Sequence, residues 1–419
     1  MTFSDTVRYL FSLGPELKTI KWDLERIHAL LAELGNPQDG QRYLHVAGTN
    51  GKGSVCAMLE SSLRAAGYRT GLYTSPHLVD PRERIRVAGH WLREDAWVSA
   101  FEKVYAASER LLACGTVEAH PSFFETLTAM AFVAFAEAGV DVVVLETGLG
   151  GRLDATNVVT PEVTIVTPID LDHEAFLGSS LELIAGEKAG ILKRGCPAVF
   201  ATQRPEALAV LEAKARELGV SVMHAPPVEN LRLHRWGSDF TASGLSIHCH
   251  LAGAHQVENA RTAVAALTVF GVEAEFIAAG IAAAQWPGRL ERVAQQPDII
   301  LDGAHNPAGA RSLAAWIKEF FKDEPIRLVF GAMRDKALDE VLGTLFPLAA
   351  EVIVTAPAQP RALSTAALLE MTDHANVQAM ETLSEALDHT RANPMTTFIT
   401  GSLFLVGEAR ALLAPSPDA

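Results

Sequence analysis

Cysteine is scarce: Cys56, Cys114, Cys196 and Cys249 are the only four in 419 residues, and none stands at a paired ligand spacing from another. That excludes a disulfide framework or a cysteine-built zinc site and leaves reduced, mostly buried thiols. Positive charge is short as well, with 35 lysines and arginines against 50 aspartates and glutamates and a net charge of −15. A nucleic-acid footprint needs a clustered basic surface, so no nucleic-acid partner is expected. No apolar run approaches the ~20 residues of a membrane-spanning helix. The first residues also lack a basic start followed by an apolar stretch. No membrane partner and a cytoplasmic location are the expectations. Low-complexity tracts are missing too, so a chain that is 49% apolar and 20% charged should be folded almost throughout, with fraying only at Ala414 to Ala419.

What is present is organised around His45-Val46-Ala47-Gly48-Thr49-Asn50-Gly51-Lys52-Gly53-Ser54. Tyr43 to Ala47 reads as a buried strand and Val55 to Ala66 as a helix, which puts the glycines in a strand-to-helix turn. Such a turn suits a phosphate: glycines fold around the anion, the helix start offers N–H groups, and Lys52 reaches a terminal phosphate. The strict Walker A pattern fails, because Val46 replaces its first glycine and Gly53 its hydroxyl residue, with Ser54 one place late.

Around this loop the chain alternates strands and helices. Residues 4 to 34 read as helices broken at Gly14-Pro15, Thr70 to Tyr73 as a strand running into Thr74-Ser75-Pro76-His77-Leu78, and Arg93 to Cys114 and Ser122 to Ala138 as helices. Asp141 to Glu146 reads as a buried parallel strand ending in a carboxylate, followed by the glycine-rich loop Thr147 to Asn157. A carboxylate at a strand end beside a phosphate loop is where an NTPase holds Mg²⁺. Val163 to Thr167 leads to Asp172-His173, and Leu181 to Leu192 is a helix carrying Lys188. Leu231 to Leu251 alternates like an antiparallel ribbon packed on the sheet edge; His255 to Phe270 and Ala274 to Ala284 form a helical pair. A new α/β pattern then starts with the strand Ile299 to Asp302, and Arg327 to Phe330, Glu351 to Thr355 and Thr397 to Thr400 supply later strands. The expected fold is α/β: a P-loop-type, doubly wound, mostly parallel sheet in residues 1–286 and a smaller Rossmann-like domain in 287–419.

Taken in order, these segments resemble the folylpolyglutamate synthase and dihydrofolate synthase family of the Mur ligase superfamily. The motifs are Val46 to Ser54, Thr74 to Leu78, Leu145-Glu146 with Gly148 to Asn157, Glu187 to Ile191, Pro287-Gly288-Arg289 and Asp302 to Pro307. The family's loop runs Gly-Thr-Asn-Gly-Lys-Gly followed by Ser or Thr, which accounts for the departure from Walker A. The resemblance implies that Thr49, Asn50, Gly51, Lys52, Gly53 and Ser54 wrap the ATP phosphates, with Asn259 near the base and Arg289 and Asp302 at phosphates and ribose. It implies one Mg²⁺ on Ser75 and Glu146, a second on His173, a carbamylated Lys188, and His305 at the interdomain cleft; Lys52, Lys188, His173 and His305 are then the catalytic set. Ser122, Phe123, Phe124 and Glu125 with Leu153, Asp154 and Ala155 match pterin-site segments, where an aromatic pair beside a carboxylate suits a flat, hydrogen-bonding heterocycle.

The implied chemistry is ATP-dependent amide formation. A pteroyl or folyl carboxylate attacks the γ-phosphate, and L-glutamate displaces phosphate from the acyl phosphate, with closure about Trp286 to Arg289 excluding water. Dihydropteroate, folate or both are the acceptors, with bifunctionality favoured and a monomer expected. Two other readings compete. A peptidoglycan-type ligase would need a UDP-binding domain before the loop, where about 40 helical residues stand; a nucleotide switch would leave Arg289, Asp302 and His305 without a purpose.

Overall fold

The computed structural model describes residues 1–14, 23–334 and 338–414. The expected break at Gly14-Pro15 and the tail beyond Ala414 lie partly outside the described residues; on either side of the first gap stand helices Phe3–Ser12 and Glu25–Glu33. The chain divides into two compact units. The first comprises Met1–Asn230, Phe240–Ile247 and Glu258–Ala284, the second Leu231–Asp239, His248–Val257 and everything from Gln285.

The first unit holds an eight-stranded sheet built from β1 (Arg42–Ala47), β2 (Thr70–Tyr73), β3 (Ile85–Val87), β4 (His90–Trp91), β5 (Val142–Glu146), β6 (Val163–Val166), β7 (Ala198–Phe200) and β8 (Val222–His224). Their order is β4-β3-β2-β5-β1-β6-β7-β8. β1 is parallel to both β5 and β6, and β2 is parallel to β5. A strand flanked on both edges and covered on both faces needs apolar side chains throughout, which is why Val142–Leu145 is an unbroken apolar run. The antiparallel hairpin β3-β4 finishes one edge. Its strands are three and two residues long, too short for alternation to register in the sequence.

Helix boundaries follow local chemistry. Phe123–Ala138 opens on a capping box in which the Ser122 hydroxyl accepts from the Glu125 N–H and the Glu125 carboxylate accepts from the Ser122 N–H. It closes on Gly139 in the left-handed region, φ 60°. The Lys188 helix runs Leu181–Ala189, three residues shorter than its apolar pattern suggested, and ends at Gly190. One face of the sheet packs Tyr43, Tyr73, Val143 and Leu145 against Trp97, Phe101, Phe132 and Phe135; Val166, Ala198 and Phe200 form a second core with Ile184, Ala185 and Leu211.

The expected ribbon is its own three-stranded sheet of β9 (Val228–His234), β10 (Gly237–Ala242) and β11 (Leu245–Cys249), with β10 central. It is not hydrogen-bonded as a continuation of the large sheet's edge. The second unit's sheet comprises β12 (Glu291–Ala294), β13 (Ile299–Leu301), β14 (Ile326–Phe330), β15 (Glu351–Val354), β16 (Val377–Ala379) and β17 (Thr396–Thr400), in the order β12-β13-β17-β14-β15-β16. All its pairings are parallel except β12 with β13. Its core gathers Trp316, Phe321, Phe330, Phe346 and Phe398.

Candidate functional site

The glycine loop leaves the carboxyl end of β1 between β5 and β6, where α/β sheets place their working loops. The Thr49 and Asn50 N–H groups donate to the Pro168 carbonyl at 3.1 and 3.2 Å, and the Thr49 hydroxyl donates to Asp170 O at 3.0 Å. Gly51 caps the helix Lys52–Ala65 at φ 86°. A Cβ there would run into the Asn259 amide, so this cap has neither the conformational freedom nor the room for another residue. A glycine cap also brings no side chain over the first-turn amides, which suits an anion.

Two lysine side chains converge on the loop. Lys52 Nζ donates to Gly48 O at 3.1 Å, and Lys188 Nζ, from 140 residues downstream, donates to the same oxygen at 2.8 Å. Lys188 is buried, and that burial, with Lys52 adding to it, lowers its pKa to about 7 from the usual 10.5 against the opposing pull of Asp172 and Asp154. Glu146 ends β5 with its carboxylate buried and accepts from the Ser75 N–H at 3.2 Å. The register explains this meeting, since Tyr73 pairs with Leu145 and Val46 with Glu146. His173 sits at φ 54° before the short helix Glu174–Leu177, with Nε2 4.0 Å from Asp172 Oδ1. Among the described residues no three His, Cys, Asp or Glu side chains converge as a metal-binding group. Mg²⁺ does not need one: one or two carboxylates, a hydroxyl, phosphate oxygens and water suffice, so the Glu146 and Ser75 pair fits such an ion.

The segments assigned to the pterin by resemblance are each engaged locally. Glu125 forms a buried ion pair with Arg26, Nη2 to Oε2 2.5 Å, besides capping its helix. Phe123 lies in the core with the Arg84 guanidinium 5.2 Å above its ring. Phe124 is half-buried against Tyr73, ring centroids 5.9 Å apart. Leu153 is half-buried and Ala155 buried. Asp154 accepts four hydrogen bonds within its own loop: from Gly148 and Leu149 N–H on Oδ2, and from the Thr156 N–H and hydroxyl on Oδ1.

In the second unit, Asp302 follows β13. Its oxygens accept from the Leu290 and Ala304 N–H groups, both at 3.0 Å, and burial raises its pKa while Arg289 opposes the rise. Arg289 Nη1 donates to Gly288 O at 3.0 Å, and His305 Nδ1 lies 2.7 Å from Gly303 O. Nearby His255 has its pKa lowered to about 4 by burial and by Arg289. Sequence reasoning missed Arg26, His255 and the Pro168 and Asp170 carbonyls. Nothing in the pattern marks Arg26 as the partner of a residue 99 positions away, and a backbone carbonyl has no sequence signature.

Residues 46–267 match the Mur ligase middle domain family and residues 288–403 the Mur ligase glutamate ligase domain family. The folylpolyglutamate synthase of Lacticaseibacillus casei is 36% identical over 429 residues, covering 99% of each chain. The Bacillus subtilis dihydrofolate synthase/folylpolyglutamate synthase is 36% identical over 420 residues, covering 94% of this chain and 95% of that one. The solved Mycobacterium tuberculosis folylpolyglutamate synthase, complexed with ADP and AMPPCP, aligns with a TM-score of 0.89 at 36% identity, over 99% of this chain and 100% of that chain.

Proposed function

This chain belongs to the folylpolyglutamate synthase and dihydrofolate synthase family of Mur ligases, and we propose that it uses ATP to join the amine of L-glutamate to a pteroyl or folyl carboxylate. The observation that carries this reading is the pair of lysine Nζ atoms, of Lys52 and Lys188, on the Gly48 carbonyl at a glycine-capped helix start, with the buried Glu146 carboxylate close by at the end of β5. Such a loop holds a triphosphate: Gly51, Gly53 and Ser54 supply backbone and hydroxyl donors and Lys52 supplies charge, while Thr49 and Asn50, whose N–H groups are held by the Pro168 carbonyl, set the course of the loop around the phosphates. Asn259, against Gly51, stands on the nucleotide side, and Arg289, Asp302 and His305 serve phosphates, ribose and acceptor.

An acceptor carboxylate oxygen attacks the γ-phosphorus and ADP leaves. The amine of L-glutamate then adds to the acyl phosphate carbonyl, loses a proton, and expels inorganic phosphate that carries the acceptor's former oxygen. Lys52 offsets negative charge gathering on the transferring group, a contribution on the order of several kcal/mol in a water-poor site. When bound on Ser75 and Glu146, with His173 serving a second ion, Mg²⁺ would supply further neutralisation of the phosphoryl oxygens. Lys188, with a pKa near 7, is largely a neutral amine at slightly alkaline pH. Attack of that amine on CO2 with loss of a proton gives the carbamate, an anionic oxygen donor. Ser122, Phe123, Phe124 and Glu125, with Leu153, Asp154 and Ala155, frame the pterin.

Both acceptors are proposed, because the B. subtilis relative carries both names along almost the whole shared length. The test is phosphate release with and without L-glutamate and acceptor, followed by chromatography of products from dihydropteroate and from a folate supplied separately. Release that needs both co-substrates supports ligation; release indifferent to them refutes it. A product from only one acceptor narrows the activity to that one.

A further inference from the structure

His45 lies in β1, three residues before the phosphate loop, and is fully buried. Its Nε2 is 2.9 Å from Thr156 Oγ1, and its Nδ1 has no hydrogen-bond partner. The hydroxyl of Thr156 has one proton to give, and its oxygen lies 2.5 Å from Asp154 Oδ1. That oxygen also receives the Thr156 N–H, while Oδ2 receives the N–H groups of Gly148 and Leu149. Burial raises the pKa of Asp154, and the Thr156 hydroxyl with the three amide donors opposes that rise by favouring the ionised form, an acceptor only, which is the form taken here. The hydroxyl proton therefore belongs to Asp154, and Thr156 Oγ1 must accept from His45. The opposite sense would leave a buried Nδ1–H without an acceptor, which costs more than a bare Nδ1 lone pair.

The far side of the same loop is tied to the helix of Lys188. Arg152 N–H donates to Glu187 O at 2.8 Å, and Asn157 Nδ2 donates to Gly190 O at 3.1 Å. The loop that Asp154 organises thus spans from Glu146, two residues before Gly148, to the helix Leu181–Ala189.

We propose that His45 is a positioning residue for ligation: as the Nε2–H tautomer it sets the direction of a buried hydrogen-bond chain, through Thr156 to Asp154, that fixes the loop between Glu146 and Lys188. This rests on the ligase reading of the site. Burial lowers the pKa of His45 to about 3, so the imidazole stays neutral and the direction of the chain does not change with pH in the working range. The chain also gives Asp154 a role within the loop, apart from any contact with the pterin.

The test combines nitrogen NMR of the His45 ring in the full-length protein with kinetics of four variants. The wild type should show a protonated Nε2 and a bare Nδ1, unchanged between about pH 5 and 9. Asp154→Asn should reverse the Thr156 hydroxyl, if the new amide oxygen takes the loop N–H groups, and move the ring proton to Nδ1. Thr156→Ser and His45→Gln keep a hydroxyl and a donor and should hold kcat within ~3-fold, whereas Thr156→Val and His45→Leu should lower kcat ~10- to 100-fold with little change in the KM for ATP. A protonated Nδ1 in the wild type overturns the proposal. So does unchanged kcat in Thr156→Val, or losses in all four variants that simply follow their melting temperatures. If a variant does not fold, the wild-type ring spectrum and the Asp154→Asn shift still decide. Should the wild type ligate nothing, the ligase reading fails on its own assay while the NMR result stands apart from it.

Discussion

Replacing Lys188 with methionine removes a charge that the fold holds against burial. The drop of its pKa from 10.5 to about 7 makes the ammonium on the order of 5 kcal/mol less favourable in the folded chain than in the unfolded one. The sign follows from proton counting. Below pH 7 both states are protonated and the penalty is complete. Above it the folded chain has released the proton and the unfolded chain has not, so stability rises with pH up to the unfolded value of about 10.5. The gain is roughly 1 kcal/mol per pH unit, or about 2 to 3 kcal/mol between pH 7 and 9. Methionine fills most of the space but has no proton to lose, so Lys188→Met should lack this rise. The lost hydrogen bond to Gly48 shifts the variant's stability by a constant, which leaves the slope untouched. Urea unfolding of both proteins in CO2-free buffer at about pH 6, 7, 8 and 9 measures the difference. A gap that changes in the wild type's favour as pH rises supports the buried amine, and parallel curves refute it. Adding bicarbonate then tests carbamylation: it should stabilise the wild type further and leave Lys188→Met unaffected.

Lys52→Ala should lower kcat at least ~100-fold with an unchanged urea midpoint, because Lys52 is half-exposed and its role is charge stabilisation. Glu146→Gln should move the Mg²⁺ dependence to higher concentration and recover part of its activity there, read from initial rates across a Mg²⁺ series. Gly51→Ala combines a left-handed backbone with a collision against Asn259. It should destabilise the protein by ~1 kcal/mol or more and weaken binding of a non-hydrolysable ATP analogue at least tenfold, read by melting and by calorimetry.

What could be read from the sequence was what leaves a local trace. β1, β2, β6 and β13 end where their apolar runs stop and β5 one residue later at Glu146, and the loops beginning at Gly48, Thr74, Thr147 and Asp302 follow these strand ends, so the strand ends marked candidate segments that the family resemblance then gave roles. The strands β3, β4, β12 and β16 left none: no longer than β2 or β6, they are partly exposed and carry polar residues, so neither a buried apolar run nor a period marks them. Partnerships across the chain were equally silent. The ion pair of Glu125 with Arg26, 99 positions away, and the hydrogen bond of Lys188 to Gly48, 140 positions away, join segments whose local patterns carry no sign of each other. Asp154 is the sharpest case, a polar residue in a glycine-rich loop whose four donors all come from within five or six residues but only once the loop has folded.

The central claim, that this chain makes an amide through an acyl phosphate, is tested most directly by supplying an acceptor labelled with oxygen-18 in the reacting carboxyl, together with ATP and L-glutamate, and analysing the inorganic phosphate. The oxygen that attacks the γ-phosphorus leaves with phosphate when the amine takes its place on carbon. One labelled oxygen per phosphate, appearing in step with ligated product, is the predicted result; unlabelled phosphate, or label found in AMP, would contradict it.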